Sequence, residues 1–380
     1  MRIAQVVTRM DWGGPPDIIR TICKSLAPPH EVKLITGPTA FPSLRTKSFL
    51  YEFKDSVITV PHLKRDIDLF RDFLALAELY RIFKKEKFDV VHTHTAKAGF
   101  LGRIAAWLAG ARRIVHTPHG HNFYGYFGRA ASRLLVILER LAARITDRII
   151  VLTESEKRDL INHKVAGAAD ILVIDSGVDI EACMQVDIDP GKKRDELRAG
   201  RDTALVGMIG RLEPVKGPEY LVRAARLVLD EYRRVKFMIV GEGSLRDRLE
   251  TLCREARISD RFVFTGWRED IPEILSVLDI VVMPSLNEAV GRVLIEAGAC
   301  GKPVVAANVG GIPDIVRDRQ TGMLVPPGDE VSLSRAVVDL LGDSEKRQRM
   351  GEEARRWVRR FSSARMAREF AGVYEGLTGE

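Results

Sequence analysis

The chain has 380 residues, 46% of them hydrophobic and 29% charged, with a formal net charge of +7. That length exceeds one comfortable core, so two domains are expected, and the composition excludes a disordered or low-complexity chain. No apolar run approaches the ~20 residues needed to cross a bilayer.

Residues 1–10 carry no signal-peptide pattern, and Cys23, Cys183, Cys253 and Cys300 have no paired spacing. This predicts a cytoplasmic protein with reduced thiols and no zinc site. The charge is uneven: residues 1–175 hold 27 Lys and Arg against 18 Asp and Glu, and the remainder is slightly acidic. A basic half can serve nucleic acid, anionic lipid or an acidic substrate.

In chain order, residues 2–8 read as a strand and 11–16 as a tight loop holding Gly13 and Gly14; 17–26 read as a helix. Residues 65–88 form an amphipathic helical pattern ending in Lys84, Lys85 and Lys87. A strand is predicted over 89–94, a loop over 95–99 and a helix over 100–109. Another strand, 114–117, precedes PHGHNFYGYFG. Residues 130–146 then form a cationic amphipathic helix with Arg133, Arg140 and Arg144 on one side. A strand over 149–152 leads to a capped helix start at 153–160. Residues 181–202 are polar and charged, as a linker would be.

The second half opens with a buried strand, 204–209, followed by Arg211 and Lys216 ahead of a helix near Gly217. A helix N-terminus with two cations is a suitable diphosphate cradle, although two solvated surface cations fit the spacing as well. Strands over 236–240 and 261–265 end in Gly241-Glu242-Gly243 and Gly266-Trp267-Arg268. Residues 279–283 form a strand, 285–291 a loop, 292–299 a helix and 304–307 a strand. Residues 331–378 are helical. Strands alternating with helices predict α/β domains with doubly wound parallel sheets, whose ligands sit at the carboxyl ends of strands.

Glu288 and Glu296 stand out in that last stretch. Eight helical steps would leave them roughly 80° apart and about 12 Å along the axis, too far to grip one atom. With a helix start near Gly291, Glu288 leans over the N-terminus and Glu296 sits inside. That suits an elongated polyol contacted at two points, and equally a solvated and a capping glutamate. Five histidines, His92, His94, His116, His119 and His121, tempt a metal reading, but no carboxylate or cysteine completes a ligand set and no HExxH occurs. His92 and His116 read as buried, satisfied histidines. Asp66-x-Asp68 at a helix start and Asp187-x-Asp189 in the linker are poorly placed for a metal-bound diphosphate.

The Glu288/Glu296 pair, ACGKPVVA at 299–306 and VGGIP at 309–313 resemble the donor-site signature of retaining glycosyltransferase family 4. GRLEPVKG at 210–217, VHTHTAKAG, HTPHGH and the Gly13-Gly14 loop extend the resemblance from residue 2 to about 329. The segments look most like those of bacterial exopolysaccharide, capsule and O-antigen enzymes. The resemblance implies a GT-B fold with two Rossmann-like domains, an acceptor-binding domain over 1–178 and a nucleotide-sugar-binding domain over 179–360. The last segment, 361–380, would cross back to the first domain.

It also implies roles. Arg211 and Lys216 would hold the donor diphosphate, and Glu288 and His119 the transferred sugar. Glu296 would contact the ribose. Gly13, Gly14, Glu242, Gly243, Trp267, Arg268, Val290, Gly291 and Arg292 would complete the donor site. His94, Thr95, Lys97 and Tyr124 are the acceptor-side candidates. Ala289 and Val290 replace the Gly-Phe or Gly-Leu of many members, which predicts a differently shaped sugar pocket.

The expected reaction is metal-independent, retaining transfer from a UDP- or GDP-linked sugar to a glycan or polyprenyl-diphosphate-linked acceptor in cell-envelope polysaccharide synthesis. No nucleophilic carboxylate is evident, so front-face displacement is favoured over a covalent intermediate. The basic helices predict peripheral attachment to an anionic membrane, at the inner face of the cell membrane. A nucleotide-sugar epimerase on the same fold and a nucleic-acid-binding protein are the competing readings; the second lacks any recognised binding motif, so no nucleic-acid partner is expected.

Overall fold

The computed structural model describes residues 1–120 and 128–379. The chain divides into two compact units, Met1–Gly177 with Ser363–Glu380, and Val178–Ser362.

The first unit is built on a seven-stranded parallel sheet. Its strands are β1 (Arg2–Val7), β2 (Glu31–Thr36), β3 (Val57–Thr59), β4 (Val90–His94), β5 (Arg113–Thr117), β6 (Arg148–Val151) and β7 (Ile171–Val173). Their order is β3-β2-β1-β4-β5-β6-β7. β1 and β4 are buried along almost their whole length, as strands covered by helices on both faces must be. The strand order reverses between β1 and β4. The carboxyl ends of those strands, at Thr8 and His94, are therefore where a doubly wound sheet opens a crevice. The terminal helix, Ser363–Thr378, belongs to this unit. It packs on the helix Gly14–Leu26, and its Tyr374 hydroxyl accepts a 3.1 Å hydrogen bond from the side chain of Gln5 on β1.

The second unit carries a six-stranded parallel sheet, β8 (Ala204–Ile209), β9 (Val235–Val240), β10 (Phe262–Gly266), β11 (Ile280–Met283), β12 (Val304–Ala307) and β13 (Gly322–Val325). The order β10-β9-β8-β11-β12-β13 places its reversal between β8 and β11. Val206, Met208, Phe237, Ile239, Val282 and Val305 bury their side chains in one core with Leu221, Val228 and Leu340 from the covering helices. Each fully buried side chain of this size contributes roughly 1.5–3 kcal/mol.

Several predicted boundaries move. The first helix begins at Gly14, with its prolines in the opening turn, where a missing N–H costs nothing. The basic helix is Leu69–Glu86, capped by Asp68, which accepts from the Arg71 amide. The cationic helix is Arg129–Ala143. Residues 95–99 are not a loop, because the helix Ala96–Ala109 starts directly after Thr95. Its Gly99 is a packing residue: a Cβ there would lie 2.3 Å from the His116 ring. Residues 181–202 are not an open linker. They contain the helices Ile180–Met184 and Pro190–Glu196, and Lys193 is buried against Asp270, Glu273 and Glu196. Burial alone would lower the Lys193 pKa, but those carboxylates outweigh it and raise it.

Candidate active site

In the second unit, three loops gather at the β8/β11 reversal. Arg211 is exposed just beyond β8. The turn Pro214–Lys216 follows, and Gly217 caps the helix Pro218–Glu231 with a left-handed φ of 61°. The loop after β11 is tied to this turn, since the Leu286 amide donates to the Val215 carbonyl at 2.8 Å. Gly291 then caps the helix Arg292–Ala299. Two helix N-termini thus start beside one another at the end of adjacent strands, an arrangement that favours anions.

Glu288 lies outside its helix and Glu296 inside it, as the spacing requires. The Glu288 carboxylate is mostly buried and forms an ion pair with Lys216; Ser285 Oγ donates to it at 3.3 Å. Its backbone carbonyl accepts from the Gly311 amide at 3.0 Å. Gly310 is required for this approach: its φ is 57°, and a Cβ would lie 1.9 Å from the Glu288 carbonyl oxygen. The VGGIP segment therefore fixes the glutamate's backbone. Val290 is buried and Arg292 partly buried.

The loops after β9 and β10 hold the remaining donor-side candidates. The Glu242 carbonyl accepts from Leu212 N at 2.9 Å, and its carboxylate meets Arg246 at 3.3 Å. A Cβ on Gly243 would lie 2.5 Å from the Leu212 carbonyl. Trp267 is 49% exposed, and a flat exposed ring suits base stacking. Arg268 is different. Its guanidinium holds Asp270 at 2.6 Å and also Glu196, contacts that raise its pKa. These contacts brace the loop after β10 against the helix Pro190–Glu196.

In the first unit, Gly13 caps the helix Gly14–Leu26 and is exposed. His119 follows β5 with a left-handed φ of 59°. Its neighbour Gly120 donates its amide to Glu156 Oε1 at 2.8 Å, while Glu156 Oε2 accepts from Leu152 N at 3.1 Å. Glu156 is a buried carboxylate that sequence reasoning passed over as part of a capped helix start.

His94 needs correction. It is fully buried, so it cannot be the acceptor contact expected of it; its ring joins Gln5 at 2.7 Å and His119 at 2.9 Å. Lys97 is likewise engaged internally, with Asp72 at 2.5 Å and the Asp66 carbonyl, tying its helix to Leu69–Glu86. Thr95 is partly buried at the helix start, 3.3 Å from Thr8 Oγ1. Tyr124 and His121 lie outside the described residues. His92 is buried and bonded at both ring nitrogens, as read from the sequence, whereas His116 is buried with only Nδ1 bonded, to Thr93, and its Nε2 has no hydrogen-bond partner among the described residues. Gln5 and Tyr374 were missed; a polar residue in the apolar run IAQVV was the available signal.

Burial pushes His92, His94 and His116 well below the ordinary histidine range, so all three are neutral near pH 7. Among the described residues, no group of three or more His, Cys, Asp or Glu is placed to hold a metal.

Residues 12–182 match the family described as Glycosyltransferase Family 4, and residues 190–357 match Glycosyl transferases group 1. The chain is 36% identical to the UDP-Gal:alpha-D-GlcNAc-diphosphoundecaprenol alpha-1,3-galactosyltransferase of Escherichia coli, over 75% of this chain and 74% of that one. The chain belongs to glycosyltransferase family 4. A second relative, the D-inositol 3-phosphate glycosyltransferase of Corynebacterium glutamicum, is 31% identical over 77% of this chain and 73% of that one.

Among solved structures, Anabaena HepE in complex with UDP-glucose aligns with a TM-score of 0.85 at 23% identity, covering 99% of this chain and 100% of that one. The sucrose-phosphate synthase of Thermosynechococcus elongatus aligns with a TM-score of 0.81 at 23% identity, covering 100% and 99%. The fold of this family 4 enzyme is GT-B, with two Rossmann-like units, and it is a glycosyltransferase.

Proposed function

We propose that this glycosyltransferase moves a sugar, with retention, from a nucleotide sugar to a lipid-diphosphate-linked or glycan acceptor in cell-envelope polysaccharide synthesis. The observation that carries the proposal is the Lys216–Glu288 ion pair at the β8/β11 reversal, where two helix N-termini start and Arg211 lies exposed just beyond β8. Cations and aligned amides there would stabilise the charge growing on a departing diphosphate. Glu296 inside its helix would reach the ribose, Trp267 the base and Glu288 the sugar. The E. coli relative uses UDP-Gal, a diphosphoundecaprenol-linked acceptor and an α linkage by its name. The α linkage is the configuration of common UDP-hexoses, which supports retention. No residue in this arrangement calls for a covalent intermediate, and the leaving phosphate would help deprotonate the acceptor.

A lipid-linked acceptor needs a membrane-facing enzyme. No described helix is long and apolar enough to cross a membrane. In the first unit, the helix Leu69–Glu86 exposes Phe70 (73%), Phe73 (67%) and Tyr80 (36%) in line with exposed Lys84, with Lys85 exposed beside them. The helix Arg129–Ala143 exposes Leu134, Ile137 and Leu141, with Arg133, Arg140 and Arg144 also exposed. Both pack on the helix Ala96–Ala109. Apolar stripes edged with cations suit an anionic lipid surface, where each basic residue contributes about 1 kcal/mol. Co-sedimentation tests this. The protein should pellet with anionic vesicles, less so in high salt, and not with neutral ones. A Lys84/Lys85/Lys87→Glu variant should stay in solution. Wild-type protein left in the supernatant under every condition would remove the membrane and favour a soluble acceptor. A thermal-shift screen with UDP- and GDP-sugars tests the donor side: stabilisation by none of them would overturn it.

A further inference from the structure

We infer that Lys193, Glu196, Arg268 and Asp270 are positioning residues for the donor nucleotide: they fix the loop after β10 so that Trp267 meets the base as a preset platform, tied to the strands β8 and β11. This rests on the proposed place of Trp267 at the base.

Within the second unit, Trp267 stands between two anchors. On one side Gly266 takes a left-handed φ of 71°, and its carbonyl accepts from the Gly241 amide at 2.9 Å. A Cβ there would lie 2.9 Å from Glu242 Oε1, so the bend just before the ring needs glycine. On the other side Arg268 donates from Nε and Nη2 to the two oxygens of Asp270, at 2.8 and 2.6 Å. Its Nη2 also reaches Glu196. A planar fork that takes a carboxylate with two bonds fixes direction as well as distance.

The second anchor is itself held. Buried Lys193 gathers Asp270 at 2.5 Å, Glu273 at 2.7 Å and Glu196 at 3.0 Å. Burial alone would raise the Asp270 pKa, but the bonds from Arg268 and Lys193 outweigh it and lower it, so this carboxylate stays charged. Arg194, next on the same helix, donates from Nη2 to the Val277 carbonyl at 2.9 Å and to Asp279 Oδ2 at 2.8 Å. That Asp279 oxygen also accepts from the Leu205 amide of β8 at 2.7 Å, and Asp279 directly precedes β11. One connected path thus runs from β8 and β11, whose loops carry Arg211, Lys216 and Glu288, through the helix Pro190–Glu196 to the residue beside Trp267.

The path has a use in binding. A ring on an unbraced loop loses backbone and rotamer freedom when a base stacks on it, and that loss weakens the complex. A ring flanked by two anchors has lost that freedom beforehand. Arg268 therefore acts on the nucleotide through Trp267, and its effect requires both the ring and the base.

Calorimetry on the full-length protein tests this with two probes, UDP and inorganic pyrophosphate, which has the diphosphate and lacks the base. Trp267→Ala should raise the Kd for UDP about tenfold, the size of one base–aromatic stack. Arg268→Met should raise it about fivefold, the size of the ordering cost, and leave pyrophosphate binding unchanged. Asp270→Asn, with its melting temperature followed alongside, should reproduce Arg268→Met. In a Trp267→Ala background, Arg268→Met should cost nothing further. Near-wild-type UDP binding in Arg268→Met, where Trp267→Ala weakens it, would overturn the inference. So would equal losses for UDP and pyrophosphate, or an undiminished cost of Arg268→Met in the Trp267→Ala background. Separately, UDP binding unchanged in Trp267→Ala would sink the place of Trp267 at the base, and with it the reading on which the inference rests.

Discussion

Lys216 and Glu288 form an ion pair at the carboxyl ends of β8 and β11. The cation placed to hold a diphosphate and the carboxylate placed to hold a sugar thus neutralise one another before any donor arrives. The pair solves a local problem: Glu288 is largely buried, and a buried carboxylate needs a partner. A bound diphosphate would compete for Lys216, and sugar hydroxyls would replace it at Glu288.

Variants of the pair should separate binding from turnover. Lys216→Ala and Arg211→Ala are each expected to cut turnover 10²–10³-fold, about 2.7–4 kcal/mol, with the fold intact. Glu288→Gln should lower turnover similarly yet bind UDP at least as tightly as wild type, because Lys216 is released to the phosphates. Calorimetry with UDP and steady-state rates decide this. Weaker UDP binding in Glu288→Gln, or near-normal turnover in both cation variants, would contradict the cradle.

Activity is expected to persist in excess EDTA. In the proposed cradle, Arg211, Lys216 and two helix N-termini would meet the developing charge, which is the work a divalent ion performs elsewhere. Loss of turnover in chelator, restored by Mg²⁺ or Mn²⁺, would refute this expectation.

The buried histidines make stability depend on pH. Burial holds His92, His94 and His116 well below the 6.5 of an unfolded chain. Below pH 6.5 the unfolded state binds more protons than the native state, so the stability gained from neutral rings is complete above that pH and lost as pH falls. Each ring contributes a slope of up to about 1.4 kcal/mol per pH unit. The melting temperature should be flat from pH 7 to 8 and decline steadily below pH 6.5. An unchanged melting temperature down to pH 5.5 would contradict the burial of these rings.

Much of the second unit was legible because its signals are local. The helix Arg292–Ala299 and the strand Val304–Ala307 fall where composition and the stop at Gly301 and Pro303 put them. The first unit was harder to read. Residues 95–99 read as a loop because Gly99 lowers helical propensity just after the strand, although Gly102 was already placed inside the predicted helix. Both glycines are instead contacts, against the His116 ring and the Thr93 methyl, which no local pattern reveals. His94 was proposed as an acceptor contact from the resemblance of its segment to family 4, and the resemblance says nothing of its burial. Its partner Gln5 is 89 residues away in sequence and Tyr374 farther still, so only the assembled sheet and terminal helix bring these groups together. Arg268 and Lys97 likewise found carboxylates on neighbouring helices.

The proposed activity is retaining transfer from a nucleotide sugar to a lipid-diphosphate-linked acceptor. Its most direct test is incubation of the protein with the UDP-sugar that stabilises it best and a synthetic GlcNAc-diphosphoryl-lipid. Product is followed by mass spectrometry and its anomeric configuration read by proton NMR. Gain of one sugar on the acceptor, in the α configuration from an α-linked donor, is the expected result. A β-linked product would contradict retention, and donor consumption with no gain of mass on this or a glycan acceptor would contradict transfer itself.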